Sequence, residues 1–373
     1  LKGMDIKLIC TTIVLAFAQN AFAQCDSITV KNVTYYTPLS LDSIAESEGL
    51  RNGPDYKGAT LFFPVNENNT MKSIVLVPGY QATQTSVTAW ARYLASRGYI
   101  AMTIGTNLLG DNPTLRAKAL LDGMETIRKE NNRKASPLFG RIDTNNIGVG
   151  GWSMGGGGAQ LSAKMDSRVK VVLAIAPWLG RDVNLLSDLN HSTPVIIISG
   201  QYDAIALNYL HSNVHYNSTP TSTNKLLVEI TGGNHFTPLN PSTGKGDIGN
   251  TAYAWLKMSL DNNACYCKML RTDSLNQRST TSKYLTTLDC SNLSVENIEY
   301  SSLSVQLFPN PVFDKFTVEF SNHRQLDYTI YDLLGHQVKN GKVGSGEIIK
   351  IGDLSRNLYF FVLDHQAYKL LKN

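Results

Sequence analysis

Between residues 73 and 200 the chain repeats one pattern. Short apolar runs close on Gly or Pro: "SIVLVPG" from Ser73, "YIAMTI" from Tyr99, "NIGVGG" from Asn146, "VKVVLAIAP" from Val169 and "TPVIIISG" from Thr193. Short Val/Ile-rich runs without polar alternation read as strands buried on both faces. Between them, "SVTAWARYLASRG" and "TLRAKALLDGMETIRKE" carry apolar residues at helical spacing. Strands alternating with helices predict a mostly parallel central sheet covered on both faces, an α/β domain placed over residues 24–268. From 269 to 304 the chain turns rich in Ser, Thr and Asn with no sustained period, which reads as a linker. Over residues 305–373, "LFPNPVFDKFTVEF", "LDYTIYDLLGHQV", "EIIKIGDL" and "LYFFVLDHQAYKLLKN" give short alternating strands split by turn signals. They predict a small all-β sandwich module.

The N-terminal pattern belongs to neither domain. Lys7 precedes an apolar run over residues 8–18, and Ala21 and Ala23 form an A-x-A site. Residues 1–23 therefore read as a secretory signal peptide, with Leu1, Lys2 and Gly3 lying ahead of the start at Met4. The apolar run is too short to span a bilayer. Cleavage would remove Cys10 and leave Cys25, Cys265, Cys267 and Cys290. An even number in an exported protein suggests disulfides. Cys265 and Cys267 are too close to pair with each other, so each is expected to pair with Cys25 or Cys290, and both pairings stay open. The spacing does not match a structural zinc site, and no metal is expected.

Charge excludes one class of function. The 373 residues carry a formal net charge of +4 without long basic runs, which argues against a nucleic-acid partner.

The candidate chemistry centres on "GVGGWSMGGGGAQ", residues 148–160. A phosphate loop would need Lys after the glycines, and none follows. A dinucleotide fingerprint would need glycine where Ser153 stands. What remains is G-x-S-x-G at Gly151, Ser153 and Gly155, between a strand and a helix. In that context the serine sits on a sharp, strained turn as a nucleophile, and its neighbours must be small.

A serine hydroxyl needs a base to attack at neutral pH. In this arrangement the acid and then the histidine follow the serine along the chain, after strand ends. Asp203 follows "TPVIIISG" in "QYD", whereas Asp182 and Asp188 precede that strand. His235 follows "KLLVEI" in the glycine-bearing loop "TGGNHFTPLN". His191 precedes a strand, and His211 and His215 lie in a polar stretch that reads as solvated. Ser153, Asp203 and His235 are thus the expected triad. Two backbone N–H groups should hold the oxyanion, one from Met154 after the nucleophile and one from Tyr80 in "VLVPGYQATQ".

With these residues in place, about residues 55–260 resemble the bacterial cutinase-like polyester hydrolases, including poly(ethylene terephthalate) (PET) hydrolases, related to dienelactone hydrolases. The matching pieces are "ATLFFP", "PGY", "GWSMGGGG", "APW", "GQYDAIA" and "GGNHF", in family order. The resemblance implies an α/β-hydrolase fold, a secreted carboxylester hydrolase and no cofactor. It also implies that Tyr80 and Met154 line the acyl subsite, that Trp178 is an aromatic wall for a substrate ring, and that Ile205 is the apolar residue opposite. On residue type alone, Trp178 and Ile205 could equally be core. Two departures stand out: Trp152 occupies a position where many members carry His, and "NHFTPLN" lacks the cysteine that some carry after the histidine. Residues 305–373 resemble the sorting domains of the type IX (Por) secretion system of Bacteroidetes, through "PNP", "YDLLGHQV" and "LYFFVL…KLLKN". That resemblance implies export through the type IX machinery, usually with removal of the module.

The expected protein is a secreted, monomeric serine esterase acting on polyesters, its partners being an ester substrate and the secretion machinery. A lipase or short-chain esterase with the same machinery is the alternative. A non-catalytic surface-binding protein on a hydrolase fold is the third reading.

Overall fold

A computed structural model describes Val33 and residues 37–65, 67, 69–180, 189–271, 279–290, 305–320, 325–333, 335–363 and 366–373. The expected signal peptide, Cys25, Asp182, Asp188 and residues 272–278 and 291–304 of the expected linker lie outside the described residues. The chain divides into two units, residues 1–291 and 292–373.

The first unit is a nine-stranded sheet with helices on both faces. Its elements run β1 (Leu41–Ala45), β2 (Ala59–Pro64), β3 (Met71–Val77), α1 (Thr88–Ala95), β4 (Ile100–Ile104), α2 (Pro113–Glu130) and β5 (Ile142–Trp152). They continue with α3 (Met154–Met165), β6 (Val169–Ile175), β7 (Val195–Gly200), α4 (Ser212–Ser218), β8 (Lys225–Ile230), α5 (Asp247–Ser259), α6 (Cys267–Leu270) and β9 (Thr281–Thr286). The strand order is β1-β2-β4-β3-β5-β6-β7-β8-β9. The pairs from β4 through β3, β5, β6, β7 and β8 are parallel, and the β1–β2, β2–β4 and β8–β9 pairs are antiparallel.

The central strands carry apolar residues on both faces, as parallel strands under helices must. Ile74, Leu76, Leu173, Ile196 and Ile198 face one core with Trp90 of α1 and Trp255 of α5. Val75, Val77, Val149, Ala174 and Ile197 face the other with Leu120, Met124 and Ile127 of α2. The α2 start follows its local signals: the Asn112 side chain accepts the Leu115 N–H at 2.9 Å, and Pro113 opens the first turn.

β9 lies beyond residue 268, where the α/β domain was expected to end. Thr281–Thr286 pairs with β8 at the sheet edge, inside the stretch that composition reads as linker. Only Tyr284 of this strand is buried. Its hydroxyl donates to the Leu270 carbonyl at 2.6 Å, and Ser282 donates to Glu229 Oε1 at 2.8 Å. An edge strand with one buried residue carries too little apolar signal to be recognised from composition, and polar edges deter stray pairing. A Cys267–Cys290 disulfide ties α6 to the segment just after β9, which settles one of the two open pairings. Cys265 is also disulfide-bonded.

The second unit is all-β, as expected. One antiparallel sheet contains β10 (Gln306–Phe308), β11 (Lys315–Glu319) and β14 (Glu347–Lys350). The other contains β12 (Leu326–Tyr331), β13 (Gln337–Val343), β15 (Asn357–Leu363) and β16 (Gln366–Lys372). Phe316, Val318, Ile330, Ile349, Phe361 and Leu370 from the two sheets form one core.

Candidate active site

The glycine-flanked serine stands where β5 ends and α3 begins. Ser153 has φ 58° and ψ −122°, a left-handed backbone that a side chain rarely adopts. Three hydrogen bonds hold it there. Its N–H donates to the Ile175 carbonyl at 2.8 Å, and its carbonyl accepts from Trp178 at 2.9 Å and Gly157 at 3.1 Å. The glycines permit close approach. A Cβ on Gly155 would lie 2.4 Å from the Val77 carbonyl oxygen, and one on Gly79 would lie 2.9 Å from Ser153 Cβ. The second of these contacts places the Pro-Gly turn before Tyr80 directly against the serine.

Asp203 lies three residues beyond the end of β7. Its Oδ1 accepts the N–H groups of Ile205 at 2.9 Å and Ala206 at 2.7 Å. Its Oδ2 accepts from His235 Nδ1 at 2.7 Å, with both side chains buried. One carboxylate oxygen is thus fixed by backbone and the other is left to orient the imidazole. The His235 loop is held in turn. Asn234 Oδ1 accepts from Phe236 at 2.9 Å and Thr237 at 3.1 Å, and the Gly233 carbonyl accepts from Tyr202 at 2.7 Å.

The remaining expected residues surround this group. Met154 is the first residue of α3, at its N-terminal end. Tyr80 is exposed, and the Gln81 N–H beside it donates to the Leu109 carbonyl at 3.0 Å. Ile205 is 56% exposed, so it is not core. Trp178 is half-buried and follows β6, with its ring 5.9 Å from that of His211.

Three features were not read from residue order. Trp152 is a tie between loops: its indole N–H donates to the His235 carbonyl at 3.0 Å, and its ring lies 5.2 Å from the imidazole. Its position directly before the serine was the available signal. Phe236 packs 5.4 Å from the Trp152 ring while remaining 54% exposed. His211 and His215, expected to be solvated, are buried. Burial drives the His215 pKa down to about 3 and that of His191 down to about 4, because desolvation disfavours the imidazolium. The polar residues around them hid this burial. No group of metal-ligating side chains is present among the described residues.

A sheet of this order, with a strained serine at a strand-to-helix turn and a carboxylate–imidazole pair from the next loops, defines an α/β-hydrolase. Residues 37–291 match the PET hydrolase-like family, and the chain belongs to it. Residues 306–373 match the secretion system C-terminal sorting domain. The chain is 34% identical to cutinase 2 of Thermobifida cellulosilytica over 230 residues, 61% of this chain and 83% of that cutinase. It is 34% identical to cutinase est2 of Thermobifida alba, over 61% of this chain and 73% of that protein. A bis(hydroxyethyl) terephthalate hydrolase of Streptomyces coelicolor is 30% identical over 58% of this chain and 66% of its own length.

Proposed function

We propose that this protein is a secreted carboxylester hydrolase that cleaves polyesters through Ser153, His235 and Asp203. The observation that carries the proposal is the buried 2.7 Å Asp203–His235 pair, whose imidazole lies 5.2 Å from the ring of Trp152, the residue before a serine held at φ 58°. The cutinase and terephthalate-ester hydrolase relatives support the substrate class. The type IX sorting module supports export from the cell.

In the proposed mechanism, His235 removes the Ser153 proton as the hydroxyl oxygen attacks the ester carbonyl. Asp203 keeps Nδ1 protonated, leaving Nε2 free to act as base, and stabilises the imidazolium that forms. The N–H groups of Tyr80 and Met154 stabilise the oxyanion, with the α3 N-terminal dipole adding to the field. The imidazolium protonates the departing alcohol. Water, deprotonated by His235, then hydrolyses the acyl-enzyme. Every catalytic group in this scheme is a protein group. Trp178 and Ile205 would flank the acyl part of the substrate, Trp178 offering a stacking face. The enzyme acts as a monomer without a nucleic-acid partner.

The test compares the wild-type protein with Ser153→Ala on amorphous PET film and on a soluble butyrate ester. Soluble terephthalate products and butyrate hydrolysis from the wild type alone are expected. Unchanged activity in Ser153→Ala would overturn the site. Butyrate hydrolysis without film products would move the substrate class to small esters.

A further inference from the structure

Arg116, on the first turns of α2, is fully buried, an unusual place for a guanidinium. Among the described residues its charge meets no carboxylate by direct hydrogen bond. Instead Nε donates to the Asp111 carbonyl at 2.9 Å, Nη1 to the Pro78 carbonyl at 2.8 Å and Nη2 to the Leu109 carbonyl at 2.9 Å. Burial pulls its pKa down to about 10, with the Asp111 charge opposing that shift. The side chain therefore stays protonated at neutral pH.

The acceptors are informative because they bracket Tyr80. Pro78 O belongs to the peptide immediately before the one that carries the Tyr80 N–H. Leu109 O, on the other side, accepts both Arg116 Nη2 and the Gln81 N–H. Gln81 has φ 54°, so the backbone after Tyr80 is held in the left-handed region. The guanidinium thus holds the 78–79 peptide directly and is linked to the Tyr80–Gln81 peptide through the Leu109 carbonyl that both donate to. The nucleophile helix meets this clamp as well. A Cβ on Gly158 would lie 2.9 Å from Arg116 Cβ, and one on Gly155 would lie 2.6 Å from the Pro78 oxygen. Arg116 therefore stands where the Tyr80 loop, the 108–111 loop and α3 converge.

We infer that Arg116 is a positioning residue for ester hydrolysis: its guanidinium fixes the peptide planes around Tyr80 so that the Tyr80 N–H points at the developing oxyanion beside Ser153. The inference rests on the proposed role of Tyr80. Its physical basis is that an oxyanion donor works only when pre-aimed, and a misplacement of about 1 Å costs about 100-fold in rate. A point charge such as the Lys ammonium cannot bridge three divergent carbonyls as the planar fork does.

The test uses the full chain as wild type, Arg116→Lys and Arg116→Met. A p-nitrophenyl phosphonate counts reactive Ser153, a soluble butyrate ester gives kcat and KM per titrated site, and phenylboronic acid reports binding of a tetrahedral oxyanion mimic. Expected is a fall in kcat of about 10-fold or more in Arg116→Lys, and a larger fall in Arg116→Met, with KM within about 2-fold. Boronate affinity should fall in step with kcat. Should the Met variant fail to fold, the Lys variant carries the test alone. Wild-type kcat per site and wild-type boronate affinity in a variant that has lost only thermal stability would overturn the inference. A wild-type protein whose Ser153 is not labelled by the phosphonate would instead overturn the site reading, whatever the Arg116 variants do.

Discussion

Residue type and order single out Ser153, Asp203 and His235 as the proposed triad because each stands just past a strand's end in a recognisable turn. Their geometry adds the division of labour on Asp203. With Oδ1 occupied by two backbone N–H groups, only Oδ2 faces His235. Replacing Asp203 by Asn keeps the volume but presents an amide that can favour the wrong imidazole tautomer. We expect kcat on the butyrate ester to drop by about 10³- to 10⁴-fold with KM little changed. A drop of less than 10-fold would remove Asp203 from the proposed mechanism. Trp152 illustrates what residue order hides. Its indole reaches the carbonyl of a histidine 83 positions away, a contact no local pattern announces.

At the level of elements, the β3 to β8 strands and helices α1 and α2 followed their hydrophobic periods closely. Elements with little apolar surface did not. β9 shows one buried residue, Tyr284, and reads as linker until its pairing with β8 is seen. The short α4 carries His215 inward, yet its sequence "SNVHYNS" looks solvated. The Cys267–Cys290 bridge closes the chain around β9 across a sequence separation of 23. Cys290→Ser should therefore lower the unfolding free energy by about 3 kcal/mol in chemical denaturation, by the loop-entropy account. Because the bridge lies at the sheet edge, the soluble-ester kcat of the folded variant should stay near wild type. A denaturation midpoint equal to wild type would show that the bridge adds nothing to what holds β9 in place.

For the whole molecule, the buried histidines set a pH dependence of stability. His191 and His215 are neutral in the folded protein, with pKa values lowered from 6.5 to about 4 and about 3. The unfolded chain, with ordinary histidines, binds protons below about pH 6.5 that the folded protein refuses. Stability is thus insensitive to these groups above pH 6.5 and falls as pH drops below it. The loss is about 1.4 kcal/mol per pH unit for each histidine, or about 2 kcal/mol each by pH 5. Urea denaturation at pH 7 and pH 5 should show the fall, and His215→Gln should reduce it. A pH-independent midpoint over that range would mean the two histidines are not held neutral.

Periodicity, turn residues and motif spacing act within a few residues of one another, and they were enough for the α/β class, the all-β module and the three residues of the proposed triad. Folding alone decided the rest. The β9 pairing, the Cys267–Cys290 bridge, the buried histidines and the Arg116 clamp all join segments far apart in the chain. In each case a polar residue is satisfied or hidden by a distant partner, and polarity by itself says only that water would do as well. Tertiary contact removed the water and made those residues structural.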